Sequence, residues 1–159
     1  MKIAILAVGR LKAGPERDLF ERYLDRAAAA GRRLGLSFAL NEFPESRAGS
    51  AEARKDQEAE VILTKSPLDQ VLIALDERGA ALDSAAFAKR LRTWRDGGKG
   101  DVAVAIGGPD GLGKAVLARA DLRLAFGAMT WPHQLVRIML AEQLYRAVTI
   151  LSGHPYHRE

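Results

Sequence analysis

Five short, almost wholly apolar runs recur along the chain, and a helical stretch follows each of them. They are KIAILAV at 2–8, LSFALNEF at 36–43, QVLIAL at 70–75, DVAVAI at 101–106 and DLRLAF at 121–126. A continuous apolar run describes a strand buried on both faces, and such strands belong to parallel sheets covered by helices. Parallel neighbours also need long crossovers, which the intervening segments supply. The segment 15–34 opens on Pro15 with Glu16 and Asp18 in its first turn and ends at Gly35 after Arg32 and Arg33. Ser50 caps a helix running to about residue 65, stopped by Ser66 and Pro67. Asp83 and Ser84 open a third helix to Arg95, a short fourth covers 114–120, and a last long one runs from His133 to about Leu151. The expected fold class is therefore α/β, a mostly parallel sheet with helices on both faces. No repeat, low-complexity tract or linker interrupts the alternation, so residues 1–159 read as one domain.

In such sheets ligands bind beyond the carboxyl ends of the strands. Three strand ends here run into turn or glycine-rich sequence: Leu75 into Asp76-Glu77-Arg78-Gly79, Ile106 into Gly107-Gly108, and Phe126 into Gly127. Three loops on one edge can line one pocket. Gly127 and Ala128 leave the backbone open to a flat ligand. The helix beyond Pro132 is apolar at 135, 136, 138, 139, 140, 144, 145, 148, 150 and 151, too many positions for one stripe. It is expected to pack against both its own sheet and a second subunit.

The formal net charge of +4 leans toward an anionic partner such as nucleic acid. No apolar run approaches the roughly 20 residues of a membrane span. The chain has no cysteine, which excludes disulfides and thiolate metal sites and suits a reducing cytosol. Gly108, Gly113 and Lys114 match the spacing of a phosphate-binding loop, but Ala115 stands where its magnesium-ligating hydroxyl belongs, and Pro109 removes a donor. Arg137 and Arg146 lie on the apolar last helix, so each must pair with a carboxylate, Glu142 being nearest in sequence, or with a substrate anion. Met129 reads as pocket lining or core, and His133 as a packing or hydrogen-bonding residue. The tail SGHPYHRE crowds His154, Tyr156, His157 and Arg158 together. Either it is a disordered terminus, or its aromatic, imidazole and guanidinium groups serve a site that stacks bases and pairs phosphate. As a metal site it is poor, and none is expected.

The segments KIAILAVGRLK, LDERG, IGGPDGLG, MTWPHQLVRIMLAEQLYRA and HPYHRE, in this order, resemble the RlmH family of ribosomal RNA methyltransferases, of the SPOUT class. The resemblance covers nearly the whole chain. It implies a C-terminal trefoil knot, a cytoplasmic homodimer and S-adenosylmethionine as methyl donor. The implied substrate is 23S ribosomal RNA, methylated at N3 of a pseudouridine in the assembled ribosome. Carried over by position, the donor contacts would be Leu75, Gly107, Phe126, Gly127, Ala128, Met129, Thr130 and Trp131. An imide nitrogen is protonated at neutral pH, so a general base or oxyanion stabiliser is needed. The candidates are His154 and His157 as base, Tyr156 as stacker or hydrogen-bond partner, and Arg137 or Arg146 for phosphate or oxyanion. The rival readings are a non-catalytic ribosome-binding or assembly factor of the same fold and a transfer-RNA methyltransferase.

Overall fold

The structure is a computed structural model that describes residues 1–156. Its elements are β1 (Lys2–Val8), α1 (Pro15–Gly31), β2 (Ser37–Phe43), α2 (Ala51–Thr64), β3 (Val71–Ala81), α3 (Ser84–Asp96), β4 (Val102–Ile106), α4 (Lys114–Arg119), β5 (Leu122–Ala125) and α5 (His133–Ser152). A short 3-10 turn, Arg32–Leu34, joins α1 to β2 and is closed by Gly35 at φ 66°. Two helix starts follow the capping chemistry of the sequence. The Ser50 side chain accepts from the Ala53 N–H at 3.1 Å, and that of Asp83 from the Ala86 N–H at 2.6 Å.

The five strands form one sheet in the order β2-β1-β4-β3-β5, and every pairing is parallel. Alternate residues feed two separate cores, as a pleated strand requires. Ile3, Ile5, Ile73, Val102 and Val104 pack with Phe20 of α1, Phe87 and Leu91 of α3, and Leu140 and Leu144 of α5. Ala4, Leu6, Val8, Leu72, Ala103 and Ala105 face Ala59 and Ile62 of α2 and Val116 of α4. Helices thus cover both faces, and the α/β expectation stands.

The apolar excess of α5 is largely met inside the chain, because α1 and α3 flank it while Leu140, Ala141, Leu144, Ala147 and Val148 are buried. Leu135 is the large apolar residue of α5 left exposed.

One expected boundary is corrected. Residues 76–79 do not end the third strand; pairing with β5 is interrupted after Leu75 and resumes at Ala80. Leu124 pairs with both Leu75 and Ala80. A strand residue has only two edges, so residues 76–79 carry the chain from one edge of β5 to the other. The sequence DERG reads as a turn because its job is to cross a neighbouring strand. This wrap is in keeping with the trefoil knot that the resemblance implies, an arrangement most folds avoid. Gly79 lies directly on the β5 backbone: a Cβ there would be 2.6 Å from the Arg123 carbonyl carbon and 2.7 Å from the Leu124 nitrogen. We therefore expect Gly79→Ala to lower the urea midpoint, although the same change at an unstrained site stabilises by about 0.4–1 kcal/mol. An unchanged midpoint would show that this crossing is loose.

Candidate active site

Parallel strands present all their carboxyl ends on one edge, and the order β4-β3-β5 sets the three singled-out ends side by side. Each end is shaped by its own sequence. After β4 the backbone folds back on itself: Gly108 and Gly111 form an isolated bridge, and the Gly111 N–H donates to the Gly108 carbonyl at 2.9 Å. Gly111 sits at φ 84°, open to glycine and strained for other residues. After β5 the chain turns at Gly127, φ 97°, and the indole N–H of Trp131 donates to the Phe126 carbonyl at 3.1 Å, closing the loop on itself. The Thr130 hydroxyl donates to the Glu77 carboxylate at 3.1 Å and ties this loop to the one after Leu75.

Between these turns lies a cleft of about 620 Å³. Seven of the eight expected donor-contact residues line it: Leu75, Gly107, Phe126, Gly127, Met129, Thr130 and Trp131; Ala128 belongs to the same loop but does not line it. Two lining residues have no local sequence signal. Lys55 arrives because α2 packs beside α4, and His133 because the first turn of α5 forms one wall. His133, expected as a packing or hydrogen-bonding residue, lines the cleft. Lys114 is held 2.7 Å from Glu52, and that hydrogen bond raises the pKa of its amino group. A second cavity of about 600 Å³ shares Leu124, Ala125, Phe126 and Gly127 with the first and is closed by Tyr23, Leu82, Ile138 and Glu142. No group of three or more potential metal ligands occurs among the described residues.

The catalytic candidates do not gather in this cleft. Arg137 is wholly buried, and its partner is Glu42, at 2.8 Å, rather than Glu142. It also donates to the carbonyls of Val8 and Gly9. Burial lowers its pKa, and Glu42 opposes that. In this chain Arg137 ties the ends of β1 and β2 together, and its buried Nε has no partner among the described residues. Arg146 does pair with Glu142, and its guanidinium lies 4.9 Å above the Tyr156 ring. Tyr156 also donates to Glu142 at 3.2 Å and packs on Tyr145, with ring centroids 4.6 Å apart. Burial and the nearby carboxylate push the Tyr156 phenol up to about 12, so at neutral pH it donates rather than accepts a proton. His154 is exposed, and its Nδ1 accepts from the Tyr156 N–H at 3.2 Å. His157 lies outside the described residues.

Arg146 and Tyr156 meet at Glu142 near the middle of α5, whereas the cleft touches its beginning at Pro132, His133 and Val136. Along α5, at 1.5 Å per residue, Glu142 lies about 9 Å beyond Val136. None of the described tail residues lines the cleft of its own chain.

The family described as predicted SPOUT methyltransferase matches residues 1–157. The chain belongs to the SPOUT methyltransferase family. This SPOUT methyltransferase is 63% identical over 160 residues to the ribosomal RNA large subunit methyltransferase H of Sinorhizobium medicae (strain WSM419), with 99% of each chain covered. It is 60% identical over 159 residues, again 99% of each, to the protein of the same name in Rhizobium rhizogenes (strain K84 / ATCC BAA-868). Among solved structures it resembles a probable methylase family protein from Haemophilus influenzae Rd KW20, at a TM-score of 0.52 and 14% identity, covering 99% of this chain and 70% of that one. That likeness concerns the fold.

Proposed function

We propose that this SPOUT methyltransferase transfers a methyl group from S-adenosylmethionine to N3 of a pseudouridine in large-subunit ribosomal RNA, in the cytoplasm and on the assembled ribosome. Relatives 60–63% identical over 99% of their length carry the ribosomal RNA methyltransferase name. The observation that carries the reading is the cleft where the turns after Leu75, Ile106 and Phe126 meet. Its volume lies in the range of small-ligand sites. Its walls include Gly107, Gly108 and Gly127, whose peptide groups carry no side chain, which fits a flat nucleoside.

S-adenosylmethionine, when bound, supplies a methyl group already activated by its sulfonium. The protein's share is orientation and exclusion of water. Leu75, Gly107 and residues 126–131 would hold the donor, and the apolar flanks from Leu112, Leu117 and Val136 keep water out. The acceptor imide must lose its proton as the new N–C bond forms. His133 lies in the cleft of the same chain, and His154 lies on the tail.

No described tail residue lines the cleft of its own chain, so a tail from a second copy is the reading that brings it there. A homodimer in which the tail of one subunit completes the cleft of the other reconciles the separation with the tail's composition. Truncation after Gly153 is expected to abolish methylation while donor affinity stays within about twofold. Turnover equal to the full chain would remove the tail from the mechanism.

The reading is tested by incubating labelled S-adenosylmethionine with ribosomes, free ribosomal RNA and transfer RNA from cells lacking the enzyme. Methylation of one large-subunit pseudouridine is expected. Transfer to transfer RNA alone, or none with saturable ribosome binding, would replace the reading by one of its rivals.

A further inference from the structure

The wall of the cleft that follows β4 is a glycine-rich turn. Residues 107–113 read GGPDGLG, with four glycines and a single polar side chain, that of Asp110. Among the described residues, the main-chain hydrogen bonds of this turn stay within it or reach only the start of α4. A glycine-rich turn loses much conformational freedom on ordering, so something must hold it before a ligand arrives.

Arg54 meets that need. Its Nε donates to Asp110 Oδ2 at 2.7 Å and its Nη2 to Asp110 Oδ1 at 3.2 Å, a two-pronged contact between residues 56 apart in sequence. Its Nη1 donates to the Ala48 carbonyl at 3.1 Å, so the guanidinium also fixes the loop leading into α2. Arg54 itself is aimed by the first turn of α2, which Ser50 caps and which Ala59 and Ile62 seat against the sheet. The next residue, Lys55, already lines the cleft. Mutual hydrogen bonding raises the pKa of Arg54 and lowers that of Asp110, which keeps both charged at neutral pH.

We propose that Arg54 is a positioning residue for the methyl-donor pocket, acting through Asp110 to hold the 107–113 turn in its receptive shape. The inference rests on the donor-cleft reading above. As a stability element the pair is minor, because both side chains are about a third exposed. Its effect falls on the ligand, which must otherwise order the turn itself.

The test combines donor titration, steady-state kinetics and amide hydrogen exchange on the full chain. Arg54→Ala and Asp110→Asn are each expected to raise the donor Kd about tenfold, and the double variant no further, since the two act as one unit. Arg54→Lys keeps the charge without the fork and falls between. For Arg54→Ala, KM for the donor rises while kcat at saturating donor stays within about twofold. Amides of 107–113 exchange faster in both single variants without donor, and the melting temperature scarcely moves. Donor affinity within about twofold of the parent, additive losses, or a general fall in melting temperature would overturn the tether. If Arg54→Ala fails to fold, Asp110→Asn gives the same readings. If the parent binds no donor, the reading of the cleft fails, and exchange at 107–113 still decides whether Arg54 holds the turn.

Discussion

Replacing Gly107 with alanine should abolish detectable donor binding while the sheet stays folded. An added Cβ would stand 2.5 Å from the Gly111 carbonyl carbon and 2.8 Å from both the Gly111 oxygen and the Leu112 nitrogen. All three are backbone atoms, so no side chain can swing aside. The turn must open, and its amides and carbonyls then leave the cleft. A loss of at least about 100-fold in affinity is expected by calorimetry, equivalent to roughly 2.7 kcal/mol. The melting temperature should fall little, because the turn sits at the edge of the sheet, beyond Ile106. Gly127→Ala makes the contrast. Its Cβ would meet nothing within 4 Å, and only the positive φ of 97° resists it. That costs roughly 1–2 kcal/mol and should weaken donor binding far less. Near-parent affinity for Gly107→Ala would mean that the turn does not contact the donor.

The second large effect concerns folding. Arg137→Met is expected to lower stability by about 3–5 kcal/mol in urea unfolding. The substitution leaves the Glu42 carboxylate, little exposed, without its countercharge, and removes the donor to the Val8 and Gly9 carbonyls. Among the described residues Glu42 then keeps only the Leu11 N–H, at 2.8 Å. Adding Glu42→Gln should recover part of the loss, because a buried ion pair costs more when half of it remains than when both charges go. The folded fraction should bind the donor with parent affinity. A loss of affinity with unchanged stability would return Arg137 to the candidates for direct ligand contact.

The sheet was legible in the sequence because burial on both faces writes itself as an unbroken apolar run. DVAVAI and KIAILAV can be little else, and the caps at Ser50 and Asp83 follow from local chemistry. The loops that line the cleft were legible for the same reason, since strand ends with glycine lie on one edge, whereas the individual donor contacts came only from the resemblance. What escaped depends on distance in sequence. Glu42 and Arg137 are 95 residues apart, and Arg54 and Asp110 are 56 apart. No periodicity links such pairs, and the nearer Glu142 looked the better partner for Arg137. The crossing at 76–79 read as a turn because only the path of the chain around Leu124 shows that pairing resumes. The return of Tyr156 onto Tyr145 and onto Glu142, 14 residues back, likewise has no signal in the sequence.

Hydrogen exchange measured with and without saturating S-adenosylmethionine bears most directly on the cleft. Protection is expected in three separated segments at once, near Leu75–Gly79, Gly107–Gly113 and Phe126–Trp131. Saturable binding that instead protects the cavity between Tyr23, Leu82 and Glu142, or leaves any one of the three turns unprotected, would contradict the assignment.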